Sequence, residues 1–256
     1  MNKQFFKDKF LNLEDVEELR NELKKFSKEI LLQNDEILDA KDIILVKKKI
    51  LNQNLLSLLQ NNLNEKEFYF LNKIKIKKNK REYGNKWHKD SGKPHQHKLI
   101  FKKNNIFIKL GIYLQKNDKK IGGGIDVIKP FKSSFLNHYN IFSNFVRKLY
   151  YSFKIRTDKN FLEIDTGEIV GFGGLVFHQT TPTKVEKNIN LDDRFTFYLL
   201  IINKSLITDT ISIYNKLKPD NPIDIDNNLE KTIYNDCEFN VCNTKLSDAI
   251  EEILSD

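Results

Sequence analysis

The chain is short of several things that would narrow its class at once. Its cysteines are Cys237 and Cys242, without CxxC spacing, which argues against a disulfide framework and for reduced thiols. No apolar run approaches the roughly 20 residues that cross a bilayer. The opening "MNKQFFKDKFLNLEDVEEL" carries no apolar segment of a secretory signal. A soluble, cytoplasmic protein without membrane association is the expectation. Arginine is scarce too: Arg20, Arg81, Arg147, Arg156 and Arg194 are all there are, so the formal charge of +8 is carried by lysine. Specific phosphate and guanine contacts favour the guanidinium fork, and Lys, Asn, Ile and Phe are abundant together, as codons rich in A and T produce. Nucleic acid is therefore not the expected partner, although an acidic partner or substrate fits the sign of the charge.

What is present suffices for a core. Hydrophobic residues make up 39% of the 256, and 19 phenylalanines are spread along the chain, which favours a globular domain over disorder. The length suits one large domain. Residues 13–32 place Leu13, Val16, Leu19, Leu23, Phe26, Ile30 and Leu31 at spacings of three and four, predicting an amphipathic helix, with acids first and lysines later as the helix dipole favours. A second helical pattern covers 40–63. From 66 the period changes to two. "EFYFLNKIKIKKNK", "HKLIFKK" and "NNIFIKLGIYLQ" predict strands, and "IDVIKP" follows the turn-rich "KNDKKIGGG". An aromatic helical insert is expected near 135–153, then strands in "FLEIDT", "GEIVGF", "GLVFHQTT" and "RFTFYLLIIN". Helices near 206–217 and 244–255 close the chain.

The expected organisation is a single domain, 1–256. Residues 1–65 form a helical support, 66–204 a β core with the helical insert, and 205–256 a helical extension. Helices first, then many short strands with Gly-rich turns, predict a mostly β sandwich or barrel flanked by helices. A doubly wound α/β fold is disfavoured, because strands and helices do not alternate and no GxGxxG follows a strand.

The candidate chemistry starts in "KWHKDSGKPHQHK", residues 86–98. In a strand, residues i and i+2 share a face, so His88 and Asp90 can offer an imidazole nitrogen and a carboxylate oxygen to one point. A third ligand would complete the two-histidine, one-carboxylate face that suits non-haem Fe(II) and leaves three positions open. HxD by itself is a weak signal, also met in surface histidines. Outside the first cluster stand His138, on the aromatic helical stretch, and His178, where the apolar run "GLVFHQTTP" meets a turn. Position at the mouth of a strand favours His178, although a core histidine is the alternative. In "LDDRFTFYLLI", Arg194 enters a strand. Pointed into a barrel it needs an acid, from the chain or from a dicarboxylate ligand held by a bidentate pair.

Taken in order, "WHKD", "LGIYLQKNDKKIGGGIDVIKPFKSS", "GEIVGFGGLVFHQTTP" and "DDRFTFYLL" resemble the phytanoyl-CoA dioxygenase-like Fe(II)/2-oxoglutarate oxygenases over about residues 66–204. The resemblance implies a double-stranded β-helix, a jelly-roll or cupin-like barrel. It implies Fe(II) on His88, Asp90 and His178, with 2-oxoglutarate as cosubstrate and O2 as oxidant. Arg194 would hold the distal carboxylate of 2-oxoglutarate, with Thr196 on the same strand face and Tyr113 on the central strand beside the cosubstrate. Two departures stand out: "IKPFKSS" replaces a "PGSH"-like turn, and the stretch from His178 to Arg194 is long. Because Asp90 retains the carboxylate that related halogenases lack, the implied outcome is hydroxylation of a C–H bond, with succinate and CO2 as coproducts.

His95 and His97 then fall in the loop after the first two ligands. With Lys93 they are candidate contacts to an anionic substrate, the alternative being exposed loop positions. Tyr139, Tyr150 and Tyr151 of the helical insert could stack on a ring or sugar, or simply fill core. The expected substrate is a small polar or anionic metabolite, such as a sugar derivative or biosynthetic intermediate. Competing readings are an acyl-CoA or carrier-bound lipid, oxidative demethylation of nucleic acid, and a non-catalytic barrel binding nucleic acid or an acidic partner. The sequence does not specify an oligomeric state.

Overall fold

The period-two segments pair into two antiparallel sheets in a computed structural model of the chain. It describes residues 5–27, 38–39, 43–70, 74–78, 87–90, 99–100, 102, 104–119, 122–128, 141–157, 160–174, 176–181, 195–217, 219–220, 222 and 244–255. Along the chain the elements are β1 (Phe5–Lys9), α1 (Leu13–Ser27), β2 (Leu38–Asp39), α2 (Ile44–Ile50), α3 (Gln53–Leu63), β3 (Phe68–Phe70), β4 (Lys75–Lys78), β5 (Phe107–Tyr113), β6 (Ile125–Ile128), α4 (Ile141–Thr157), β7 (Asn160–Leu162), β8 (Glu168–Gly173), β9 (Phe177–Thr180), β10 (Phe195–Asn203), α5 (Lys204–Leu217), β11 (Thr244–Lys245) and α6 (Leu246–Ser255).

The large sheet runs β1, β8, β5, β10. Its long strand β10 then pairs with β3 through Ile201↔Phe70 and with β4 through Phe197↔Ile76. β11 extends the sheet beyond β3, and β2 extends it beyond β4. The small sheet runs β7, β6, β9 and is widened by a single antiparallel bridge, His88↔His178. From β4 onward the chain crosses repeatedly between them: β4 large, His88 small, β5 large, β6 and β7 small, β8 large, β9 small, β10 large. That winding is the double-stranded β-helix, a jelly roll closed by two sheets face to face.

Alternation along the central strands separates two cores. One face of the large sheet presents Ile108, Leu110, Ile112, Ile169, Phe195, Phe197, Leu199 and Ile201 to a cluster shared with α1, α2, α3 and α6. The opposite face presents Tyr113, Val170 and Phe172 to Ile125, Val127 and Leu162 of the small sheet. Helices α1, α2, α3 and α6 therefore lie behind the large sheet, and the barrel interior is kept for other side chains. α6 shows why it docks there: its buried residues Leu246, Ala249, Ile250 and Ile253 fall at i, i+3, i+4 and i+7. No helix among the described residues is long and apolar enough to cross a membrane.

Four local expectations differ. The pattern over 40–63 is two helices, because Asn52 breaks it: its side chain accepts from Leu55 N–H and caps α3, while its own amide donates to Lys49 C=O. "EFYFLNKIKIKKNK" is two strands, β3 and β4. In "HKLIFKK", Leu99 and Ile100 are helical rather than extended. Leu99 C=O accepts from Lys102 N–H at 3.1 Å and its side chain packs with Phe107, Ile202 and Leu206. Finally, the stretch 1–65 is not helical throughout, since β1 pairs along β8 with Phe6↔Gly171.

Candidate metal centre

His88 and His178 are brought together by the backbone before their side chains matter. Each N–H donates to the other's C=O at 2.9 Å, so two residues ninety positions apart sit directly opposite one another, with ring centroids 4.4 Å apart. Asp90 follows His88 by two. Between them Lys89 turns the other way, its ammonium 4.8 Å from the Tyr151 ring centre on the outer side. His88 Nε2 lies 3.9 Å from Asp90 Oδ1, and His178 Nε2 lies 3.7 Å from Asp90 Oδ2. One ligand atom from each of His88, Asp90 and His178 falls within 4.8 Å of the others.

Each donor is prepared differently. His178 is buried, and its Nδ1 is 2.9 Å from Val176 C=O. That carbonyl can only accept, so Nδ1 carries the proton and Nε2 keeps its lone pair toward Asp90. Burial lowers the His178 pKa to about 4, outweighing the pull of Asp90 and of the Val176 carbonyl toward the charged form; His88 and Lys109 add to the lowering. The ring is therefore neutral at neutral pH, the form that binds metals. His88 is more open, with 39% of its side chain exposed, and stands on the solvent side. Asp90 Oδ1 accepts from Lys109 Nζ at 2.9 Å. Asp90 Oδ2 is buried and accepts no hydrogen bond among the described residues. A buried carboxylate oxygen left without a donor is costly, and a cation at this point would satisfy it. The donor set, two imidazoles and one carboxylate oxygen, fits Fe(II).

A stacked aromatic column supports the bridge from outside. Trp87 lies 5.4 Å from Phe177 and Tyr151 lies 4.3 Å from Phe177, centroid to centroid. Tyr151 is thereby packed into this column against the strand that carries His178.

The far end of the interior is polar. Thr196 pairs with Tyr113 across β10 and β5, so both share the inner face, and both are fully buried. Gln115 Nε2 donates to Thr196 Oγ1 at 3.4 Å, while Gln115 Oε1 is buried without a hydrogen-bond partner among the described residues. The Tyr113 ring folds back over Gly111, where an added Cβ would stand 3.0 Å from it. Burial pushes the Tyr113 phenol well above its ordinary pKa and that of neighbouring Tyr198 up to about 12, so both remain neutral hydroxyls. Arg194, one residue before β10, lies outside the described residues, as do Lys93, His95, His97, His138 and Tyr139.

Two residues at the site were not singled out from the sequence, Lys109 and Gln115. Lys109 did leave a signal: in "FIKLGIY" it is a charge at the centre of a strand otherwise free of charge, and such a charge needs an acid.

Fold and cluster together define a double-stranded β-helix with a His-Asp-His face at one end of its interior. Among solved structures, the chain is similar to HygX from Streptomyces hygroscopicus with nickel and 2-oxoglutarate bound, at 12% identity and TM-score 0.55, over 78% of this chain and 82% of that one. It is also similar to SnoN, a non-haem α-ketoglutarate-dependent epimerase from nogalamycin biosynthesis, at 11% identity and TM-score 0.53, over 78% and 77%. A third is CytC3, at 13% identity and TM-score 0.51, over 80% and 75%. At these identities the likeness establishes the fold. No protein-family profile and no curated protein sequence matches the chain.

Proposed function

We propose that the protein is an Fe(II)/2-oxoglutarate-dependent oxygenase of the phytanoyl-CoA dioxygenase-like kind. It would hydroxylate a C–H bond of a small polar or anionic metabolite, with one oxygen of O2 entering the substrate and the other entering succinate as CO2 leaves. The observation that carries this reading is the convergence of His88, Asp90 and His178 donors within 4.8 Å. The names of the structural neighbours, with their 2-oxoglutarate and metals, support it.

Bound iron with 2-oxoglutarate supplies oxidising power by coupling O2 reduction to decarboxylation of the cosubstrate. The protein's part is binding and orientation. His178 presents Nε2 because Val176 holds its Nδ1 proton. Asp90 presents Oδ2, and His88 closes the face from the solvent side. With only these three residues as ligands, a bound Fe(II) would keep positions open for the cosubstrate and one further small ligand. Arg194 is assigned the distal carboxylate of 2-oxoglutarate, with Thr196 and Tyr113 as neutral hydroxyl partners on the same inner face. His95, His97 and Lys93 are assigned to the substrate's anionic group.

Succinate release from 2-oxoglutarate under air with added Fe(II) tests the reading, with His88→Ala as the control. Turnover by the wild type that His88→Ala abolishes is expected, and a wild type that neither binds Fe(II) nor releases succinate rejects it. Arg194→Ala should raise the KM for 2-oxoglutarate far more than it changes Fe(II) binding. Equal cosubstrate affinity in both proteins rejects the arginine assignment.

A second substrate reading, an acyl-CoA or carrier-bound lipid, is favoured by one feature. Phe145, Leu149 and Phe153 stand exposed at four-residue spacing along α4, an apolar stripe on the helix whose Tyr151 packs beside the site. Stimulation of succinate release by acyl-CoA, and not by small anionic metabolites, would favour it.

A further inference from the structure

We propose that Lys109 is a positioning residue: its ammonium holds Asp90 Oδ1, so that Asp90 meets the metal through Oδ2 alone. The inference rests on the metal-centre reading above and concerns how the carboxylate is presented.

The two oxygens of Asp90 differ in their surroundings. Oδ1 accepts from Lys109 Nζ at 2.9 Å, while Oδ2 is buried, accepts nothing among the described residues and lies 3.7 Å from His178 Nε2. Both partners are largely withdrawn from water, with 28% of the Lys109 side chain and 14% of the Asp90 side chain exposed. A charge-assisted hydrogen bond in such surroundings is stronger than one at the surface.

Lys109 has little freedom to leave. It stands on the inner face of β5 with Gly111 and Tyr113, opposite Phe172 on β8 and Leu200 on β10. Its ammonium lies 5.2 Å from the Tyr198 ring centre and 5.9 Å from that of Phe172, within reach of cation–π attraction to both. Among the described residues, Asp90 is the acid it pairs with.

The consequence concerns how many positions stay open. A carboxylate binding through both oxygens would occupy a fourth coordination position. Two would then remain, enough for a chelating cosubstrate but not for a third ligand beside it. To bind that way, Asp90 would have to share Oδ1 between the ammonium and the metal, two cations drawing on one oxygen. Lys109 thus opposes the one change of the first three ligands that closes the site.

The test uses the full chain and Co(II) as the metal probe, anaerobically, with affinity and d–d absorption as readouts and no turnover required. Lys109→Met should bind Co(II) about 10-fold or more tightly, since a cation beside the metal is lost and Oδ1 is freed to coordinate, with altered d–d bands reporting a changed carboxylate. Lys109→Arg should restore the wild-type bands, because the guanidinium can donate to the same oxygen. Should Lys109→Met fail to fold, judged by the melting of the metal-free protein, Lys109→Leu removes the same ammonium. Wild-type affinity and bands in the neutral variant overturn the proposal. So does an Arg variant altered as much as the Met variant, since that marks a packing role. If the wild type binds no Co(II) at all, the metal-centre reading fails, and the positioning proposal falls with it.

Discussion

His178 has to be buried and yet remain a base. Burial alone favours its neutral form, and the Val176 carbonyl decides which nitrogen keeps the proton. The same arrangement makes the metal-free fold sensitive to acid. With the folded pKa near 4 and the unfolded value near 6.5, the unfolded chain binds the proton that the fold refuses. Stability is therefore full above about pH 6.5 and falls as pH drops toward 4, by on the order of 3 kcal/mol. Below that no more is lost from this group. Urea midpoints of the metal-free protein at pH 7 and 4.5 should separate by more in the wild type than in His178→Gln, and parallel midpoints would contradict the account. At this scale the sequence was informative where spacing implies a shared face: His88 and Asp90 lie two apart, and His178 ends an apolar run. It was silent on which oxygen of Asp90 is free, because that depends on Lys109 arriving from a strand whose position no local pattern specifies.

Among the elements, β1 shows what periodicity misses. "FFKDK" carries a half-buried and a buried phenylalanine followed by three exposed residues, too little alternation to announce a strand. It is held by its neighbour: Phe6 pairs with Gly171, and a Cβ on Gly171 would run into the Phe6 ring. Gly171→Ala should therefore loosen β1 from β8 at about 1–3 kcal/mol, as overpacking does. Amide exchange should rise along residues 5–9 while β5 stays protected, and unchanged exchange in β1 would refute the contact's importance. The 40–63 pattern failed for the converse reason. Its apolar spacing continues across Leu51 and Asn52, but a capping asparagine ends one helix and starts the next. Strands β5, β8 and β10 were readable because both of their faces are buried, one under helices and one inside the barrel, so their apolar content is high throughout.

For the whole molecule, α1, α2 and α3 before the barrel and α6 after it are one support. Leu19 and Leu23 of α1, Leu55 and Leu59 of α3, and Ile250 and Ile253 of α6 join the outer face of the large sheet in one cluster. Ile250→Ala should cost about 2–5 kcal/mol and lower a single unfolding transition. Separate melting of the C-terminal segment and the barrel would show that they are independent. The order of helices and strands was legible from the sequence and so was a barrel. The shared core was not, because it joins α1 to α6 from opposite ends of the chain. One further property belongs to the molecule as a unit. Trp87 is its only tryptophan, stacked on Phe177 and adjacent in sequence to His88. Indole emission from the entire chain is thus emission from the edge of the metal face. Excited at the red end of the indole band, the wild type should dim as Co(II) is added and His178→Ala should not; equal dimming in both would place the quencher elsewhere. The protein carries its own optical gauge, and an unfolding curve followed by that light reports the loosening of the His88↔His178 bridge.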